Sequence, residues 1–344
     1  MNKIESGEKL DFHSVLIRPK RSTLNSRSEV DLEREFKFKY SSLKWKGIPI
    51  ISANMDSTGT FEVCECLSSY KMITALHKFY SIEDYKRFYD KQISPDSFMI
   101  STGINSNAIN NLKEIFKVIN CNWICIDIAN GYISNLVEFC KKVREEFPDK
   151  IIVAGNVVTR EIVEELILNG KVDVVKVGIG PGSACTTRLK TGVGMPQLSA
   201  VLECADAAHG VGGHIISDGG ITCPGDMAKA FGGGADFVMV GGRFAGHDQN
   251  PGEVEEIDGK KYKFFHGMSS DKAQQTHYGK MEKYRASEGR VLKIPYKGDL
   301  NETIQDYLGG LRSTCTYINA SSMKNMAKCT TFIRVSQQVN DLFK

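Results

Sequence analysis

Ten cysteines occur in this sequence, and the surroundings of Cys185 set it apart from the rest. It lies in the run GIGPGSACTTR and is followed by Thr186, Thr187 and Arg188. A thiol on a glycine-rich loop is accessible rather than packed, and backbone dipoles with a nearby cation favour its thiolate, the form that acts as a nucleophile. The competing reading is a structural cysteine, a small buried hydrophobe like most of the others. Downstream, YRASEG supplies a guanidinium at Arg285 and a carboxylate at Glu288. Glu288 paired with a loop hydroxyl would form a proton relay, whereas read on its own it is a solvated surface residue. Glycines in the cysteine loop let carbonyls turn inward. Those of Gly180, Gly182, Cys185 and Arg188 are the expected oxygen ligands of a monovalent cation, K+.

Two glycine pairs suggest a second kind of chemistry. Ser217-Asp218-Gly219-Gly220 and Gly241-Gly242 each close an apolar run. Bare glycine backbone lets N–H groups converge on phosphate oxygens, and the last two loops of many α/β barrels bind phosphate in this way. Asp218 would be repelled by the phosphate itself. It reads either as an acceptor for ribose hydroxyls or as a turn or helix-cap residue.

These groups need a scaffold, and the apolar runs predict one. Runs rich in Ile and Val begin near Ile48, Met72, Phe98, Trp123, Ile151, Val174, His214 and Phe237. Most are spaced as βα units, with amphipathic stretches between them such as Ser134 to Glu146 and Glu161 to Asn169. Continuous apolar strands alternating with helices imply a parallel sheet covered on both faces, and eight units close into a (β/α)8 TIM barrel. A doubly wound sheet is the structural alternative. The expected organisation is a single barrel domain over 1–344, with an N-terminal extension 1–45 and a lid inserted over about 243–300. Long loops follow strands 6 and 8, and loops of that length are usually functional. Within the second, Asp258-Gly259 signals a hairpin turn, and a helix is expected around Ile304 to Leu311.

Lys plus Arg is 44 against 41 for Asp plus Glu, a balance that argues against a nucleic-acid binder or a polybasic membrane protein. The opening MNKIESGEKLDF is charged and has no apolar core, so it does not read as a secretory signal, and a cytoplasmic protein is expected. The chain is too long and lacks the secretory context for a disulfide framework, and without a C-x-x-C pair a zinc site is not expected either.

Several long strings resemble the IMP dehydrogenase/GMP reductase family. They are LDFHSVLIRPKRS, GIGPGSACTTRLKTGVG, SDGGITCPGDMAKAFGGGADFVM, GMSS, YRASEG and GDLNETIQDYLGGLRSTCTY. The resemblance implies a (β/α)8 barrel and, on the reductase side, a covalent mechanism. Cys185 would attack C2 of GMP, ammonia would leave a thioimidate, and NADPH would deliver hydride to give IMP. It further implies that Thr187 and Glu288 transfer the proton for ammonia. Ser217, Asp218, Gly219, Gly220, Gly241, Gly242, Gly267, Met268 and Ser269 would hold the nucleotide, with Arg285, Ala286, Ser287 and Gly289 closing over the base. Cofactor contacts carried over are Ser26, Arg27, Lys78, Asp127, Ile128, Ala129, Ile179, Gly180, Met268, Arg285, Ser313, Thr314, Cys315 and Thr316. Arg27 and Lys78 suit the extra phosphate of NADPH. The resemblance also suggests a homotetramer. Met195 and Arg243 depart from the family pattern.

Three other readings compete. A dehydrogenase of the same family usually carries regulatory modules after the second strand, and the Lys78 to Met99 interval has no room for them. A non-catalytic purine-nucleotide sensor would use the glycine pairs but leaves Cys185, Thr187 and Glu288 unexplained. A flavin-binding barrel would give a yellow protein.

Overall fold

The computed structural model describes residues 4–268, 270 and 288–336. Eight strands form a closed barrel: β1 (Ile50–Ser52), β2 (Ile73–Leu76), β3 (Phe98–Thr102), β4 (Trp123–Asp127), β5 (Ile151–Val157), β6 (Val174–Val177), β7 (His214–Asp218) and β8 (Phe237–Val240). Every neighbouring pair is parallel, and β8 closes on β1. All eight expected strands are present, though β1 begins at Ile50 rather than Ile48. Their nearly unbroken burial explains the continuous Ile/Val runs: one face packs inside the barrel and the other under helices.

The helices between strands are α1 (Phe61–Ser68), α2 (Ile82–Tyr89), α3 (Ala108–Val118), α4 (Ser134–Glu146), α5 (Arg160–Leu168), α6 (Gln197–Gly210) and α7 (Pro224–Gly232), with α8 (Leu300–Ile318) after the last strand. The expected helices at 134–146 and 161–169 are α4 and α5, the latter displaced by one residue, and the stretch at 304–311 lies within α8. Only α2 and its flanking turns join β2 to β3.

The N-terminal segment stops the lower end of the barrel. Strands Arg34–Lys37 and Lys44–Gly47 pair as an antiparallel hairpin. Phe36 stacks on Phe237 at 4.5 Å, and Trp45 meets Trp123 edge-on. Trp123 and Phe237 are the first residues of β4 and β8, so this aromatic plug sits at the N-terminal ends of the strands.

At the opposite end, the segment after β8 folds into a three-stranded antiparallel sheet, Glu255–Ile257, Lys260–His266 and Val291–Pro295. The predicted turn at Asp258-Gly259 joins its first two strands, with φ of +53° and +73°. Positive φ at both central positions is what a tight two-residue hairpin loop requires. Phe265 packs this sheet onto Ala184 and Ala245, beside the cysteine loop. No helix among the described residues is long and apolar enough to cross a membrane.

Candidate active site

The cysteine loop leaves β6, and its backbone is held by the sheet that follows β8. Thr186 donates its N–H to the Glu288 carbonyl at 2.8 Å, and Arg290 donates to the Ala184 carbonyl at 3.0 Å. These two bonds clamp Cys185 opposite Gly289. The approach is close: a Cβ at Gly289 would lie 2.7 Å from the Ser270 nitrogen, and one at Gly267 would lie 2.9 Å from the Ala184 carbonyl. Glycine is needed at both positions for the two segments to meet.

That clamp aligns three side chains. The Cys185 thiol lies 3.2 Å from Thr187 Oγ1, and the Thr187 hydroxyl donates to Glu288 Oε2 at 2.6 Å. A thiol, a hydroxyl and a carboxylate thus form one continuous chain at the barrel mouth, 101 residues apart in sequence at its widest step. Such a chain can pass a proton between the carboxylate and whatever stands above the sulfur.

The cation expected beside Cys185 is committed elsewhere. Arg188 lies against Gly180 and Gly194, donates to the Met195 carbonyl at 2.7 Å and faces Asp11 at 3.5 Å. A Cβ at Gly180 would come within 2.6 Å of the Arg188 chain, so part of the loop's glycine content makes room for arginine. Of the four carbonyls expected to bind a monovalent cation, those of Gly182 and Arg188 already accept from Cys185 and Gly192. Those of Gly180 and Cys185 accept no hydrogen bond from the described residues, so the loop has two carbonyls to offer a hard cation.

The glycine pairs also reach the mouth. Gly219 and Gly220 have φ of +94° and +80°, and a Cβ at Gly219 would strike Pro181 of the cysteine loop. A Cβ at Gly242 would lie 2.8 Å from Ser183 Oγ. Ser217 is fully buried and accepts from Gln197 at 3.2 Å, so its hydroxyl already has a partner inside the wall. Lys297 secures the second pair by donating to the Ala245 and Arg243 carbonyls at 2.7 and 3.1 Å. Burial, with Arg243 nearby, brings its ammonium down to about 8.

Three charged residues occupy the barrel interior beneath these loops. Lys176 Nζ lies 2.7 Å from Asp127 Oδ1 and 2.8 Å from Asp218 Oδ2. Asn156 also donates to Asp218 Oδ2, at 2.9 Å, and to the Gly178 carbonyl. Burial alone would raise the Asp127 carboxyl, but Lys176, Lys78 and Asn54 outweigh it and hold it below the ordinary value. Burial alone would likewise lower Lys176, and the two carboxylates overcome that and raise it. Sequence reasoning passed over Lys176, Asn156 and Gln197. The signal for Lys176 was present: a lysine inside the apolar strand Val174–Val177 has to find a partner when buried.

Other expected residues lie apart. The turn Arg27–Glu29, capped by Ser26, packs against α8, which carries Ser313, Thr314, Cys315 and Thr316. Gly310 of α8 lies against Pro224 at the start of α7, so this group runs along the outer wall. Cys315 is fully buried there. Lys78 follows β2 and is exposed at the mouth, near Gly103 and Asp127. Ile128 and Ala129 follow Asp127, and Ile179 is buried at the start of the cysteine loop. Met268 lies beside the loop after β1, its sulfur 3.4 Å from the Asp56 nitrogen. Ser269, Arg285, Ala286 and Ser287 lie outside the described residues. Among the described residues, one group has metal-ligand character: His209, His214 and Asp236, at the opposite end of the barrel, where Asp236 already faces Arg34 at 3.6 Å.

Comparison with known sequences agrees with this architecture. The model of the IMP dehydrogenase / GMP reductase domain matches residues 9–340. The chain belongs to that family. It is 56% identical to a GMP reductase of Caenorhabditis elegans, over all of this chain and 96% of the relative. It is also 56% identical to a GMP reductase of Yersinia pestis, over 99% of both. The matched region includes the whole barrel and the hydrogen-bonded chain Cys185–Thr187–Glu288 at its mouth.

Proposed function

We propose that the chain catalyses the NADPH-dependent reductive deamination of GMP to IMP and ammonia; the names of its relatives support GMP reduction in general. The observation that carries this reading is the hydrogen-bonded chain Cys185–Thr187–Glu288 beside two glycine pairs. A phosphate seats on Gly219-Gly220 and Gly241-Gly242, and the ribose diol meets Asp218. Cys185 as thiolate adds to C2 of the purine, forming a C–S bond. The exocyclic amine then leaves as ammonia, its proton supplied through Thr187 from Glu288, and a cysteine thioimidate remains. NADPH, when bound, supplies the hydride that replaces the lost amine at C2. Release of the Cys185 thiolate as the C–S bond breaks gives IMP.

The exposed Lys78 suits the additional phosphate of NADPH, and Asp127 with Ile128 and Ala129 lines the cofactor side of the mouth. Ser26, Arg27 and Ser313 to Thr316, on the outer wall, would serve a cofactor extending from the mouth of a neighbouring copy in a homotetramer. Exposed Leu16, Tyr317 and Ile333 mark the same wall as apolar. A monovalent cation, K+, held by the carbonyls of Gly180 and Cys185, would stiffen the cysteine loop. The reading places the reaction in the cytoplasm.

The deciding experiment follows NADPH absorbance on adding GMP, with IMP and ammonia measured as products. NADH formation from IMP and NAD, without GMP-dependent NADPH loss, would instead indicate the dehydrogenase. Tight nucleotide binding with neither reaction would indicate a sensor.

A further inference from the structure

A buried lysine inside a barrel needs a reason. Taking an ammonium out of water costs several kcal/mol unless it is paired, and apolar residues of similar volume often serve stability as well or better. Lys176 is 3% exposed, and the strand pairings place it in line with its partner. Asp127 of β4 is opposite Gly155 of β5, which in turn is opposite Lys176 of β6. A Cβ at Gly155 would come 2.8 Å from Lys176 Cβ, so the missing side chain clears the line between ammonium and carboxylate. On the other side, Lys176 pairs with Ile216 and reaches Asp218, two residues further along the same face of β7. With Asn156 and Lys176 both on Asp218 Oδ2, Asp218 Oδ1 accepts no hydrogen bond from the described residues and is left to the mouth.

We propose that Lys176 is a positioning residue that ties the cofactor side of the mouth, at Asp127, to the ribose side, at Asp218. The inference rests on the proposed GMP reduction for the identity of the two ligands. One ammonium fixes both carboxylates, and Asn156 and Gly155 complete the mount. The titratable neighbours are Lys78, a charge over Asp127, and Cys125, whose thiol burial pushes up to about 12, so that it stays neutral. Without Lys176, two carboxylates face each other with only the exposed Lys78 to offset them, and one must take a proton at a higher pH.

The test compares Lys176→Met and Lys176→Arg with the wild type. It uses the pH profile of kcat/KM, and the affinity for GMP against 2′,3′-dideoxy-GMP. Lys176→Met is expected to lose about a hundredfold in kcat/KM, the scale of a roughly 1 Å misplacement. Its acid limb should move up by about one pH unit or more, and its preference for the ribose diol should vanish. Lys176→Arg keeps the charge, so it should lose rate while leaving the acid limb in place. A methionine variant with the wild-type acid limb and diol preference overturns the proposal, whatever its rate. If that variant does not fold, a shifted acid limb in Lys176→Arg overturns it. Wild-type protein that shows no GMP-dependent NADPH oxidation refutes the function reading instead, and the diol-preference comparison, which needs no turnover, still decides the role of Lys176.

Discussion

At the mouth of the barrel Lys176 bridges Asp127 and Asp218; at the floor Arg144 pairs with Asp173 at 2.5 Å, and Asp236 gathers Arg34, His209 and His214. The residue types are similar and the strand ends are opposite. Asp173 accepts from the backbone nitrogens of Tyr40, Ser41 and Ile152 as well as from Arg144. Asp236 accepts from the Ile215 nitrogen and from His209. Each floor carboxylate thus grips the start of an adjacent strand, and Asp173 and Asp236 also hold the N-terminal segment through Tyr40 and Arg34. At the mouth, Asp218 keeps an oxygen in reserve. Buried charge with its hydrogen-bond capacity filled within the protein stabilises the fold, whereas charge left partly open is available to a ligand. This matches the general division of α/β barrels into a catalytic upper face and a stabilising lower face.

The sharpest way to break that division is at the sulfur. Cys185→Ala should abolish turnover while leaving GMP binding and thermal stability close to wild type, since the half-buried side chain has few partners to lose. Steady-state NADPH oxidation, GMP titration calorimetry and a melting curve check all three. Substantial turnover in this variant would remove covalent catalysis from the account. One step along the relay, Thr187→Val and Glu288→Gln should each lower kcat by about 10²–10⁴, the range for loss of a general acid–base group. Residues acting as a unit are non-additive, so the double variant should be little worse than either single one. Fully additive losses would mean that Thr187 and Glu288 act separately.

At the floor the expected pattern reverses. Arg144→Met strands the Asp173 carboxylate, and breaking a buried pair in this way costs about 3–5 kcal/mol of folding stability. The kcat of the protein that remains folded should be unchanged. Urea denaturation with parallel kinetics tests this, and a lowered kcat at full folding would show that the two ends are coupled.

Sequence revealed the mouth better than the floor, for physical reasons. The eight strands were legible because a strand buried on both faces must be apolar throughout, and Asp258-Gly259 was legible because few residues tolerate its turn. The place of Cys185 on a loop at the mouth was legible from local glycine content, although Arg188, expected to assist it, turns to Asp11 and Met195 instead. The floor depends on contacts such as Tyr40 to Asp173 and Phe36 to Phe237, which lie more than a hundred residues apart and leave no local pattern. Lys176 fell between the two. Its strand was identified, but the apolar run hid the one residue that broke it.

The smallest expected effect is the pH response of the floor, and its sign separates it from the mouth. Burial alone would lower His214, but the Asp236 carboxylate, 3.5 Å from its ring, outweighs this and raises it above the ordinary histidine value. Burial alone would raise Asp236, but His209 and His214 hold it well below the ordinary carboxylate value. The stability from a raised histidine is complete below its unfolded value, about 6.5, and is lost as pH rises through the folded one. The stability from a depressed carboxylate is complete above its unfolded value, about 3.9, and is lost as pH falls through the folded one. The cluster therefore contributes most between about pH 4 and 6.5 and weakens on the alkaline side as His214 loses its proton. Denaturation midpoints of the wild type should fall more steeply from pH 6 to 8.5 than those of His214→Gln, while the pH profile of kcat is the same in both. Parallel denaturation curves would show that His214 is uncharged in the folded protein. A shifted kcat profile would show instead that the floor reaches the chemistry at the mouth.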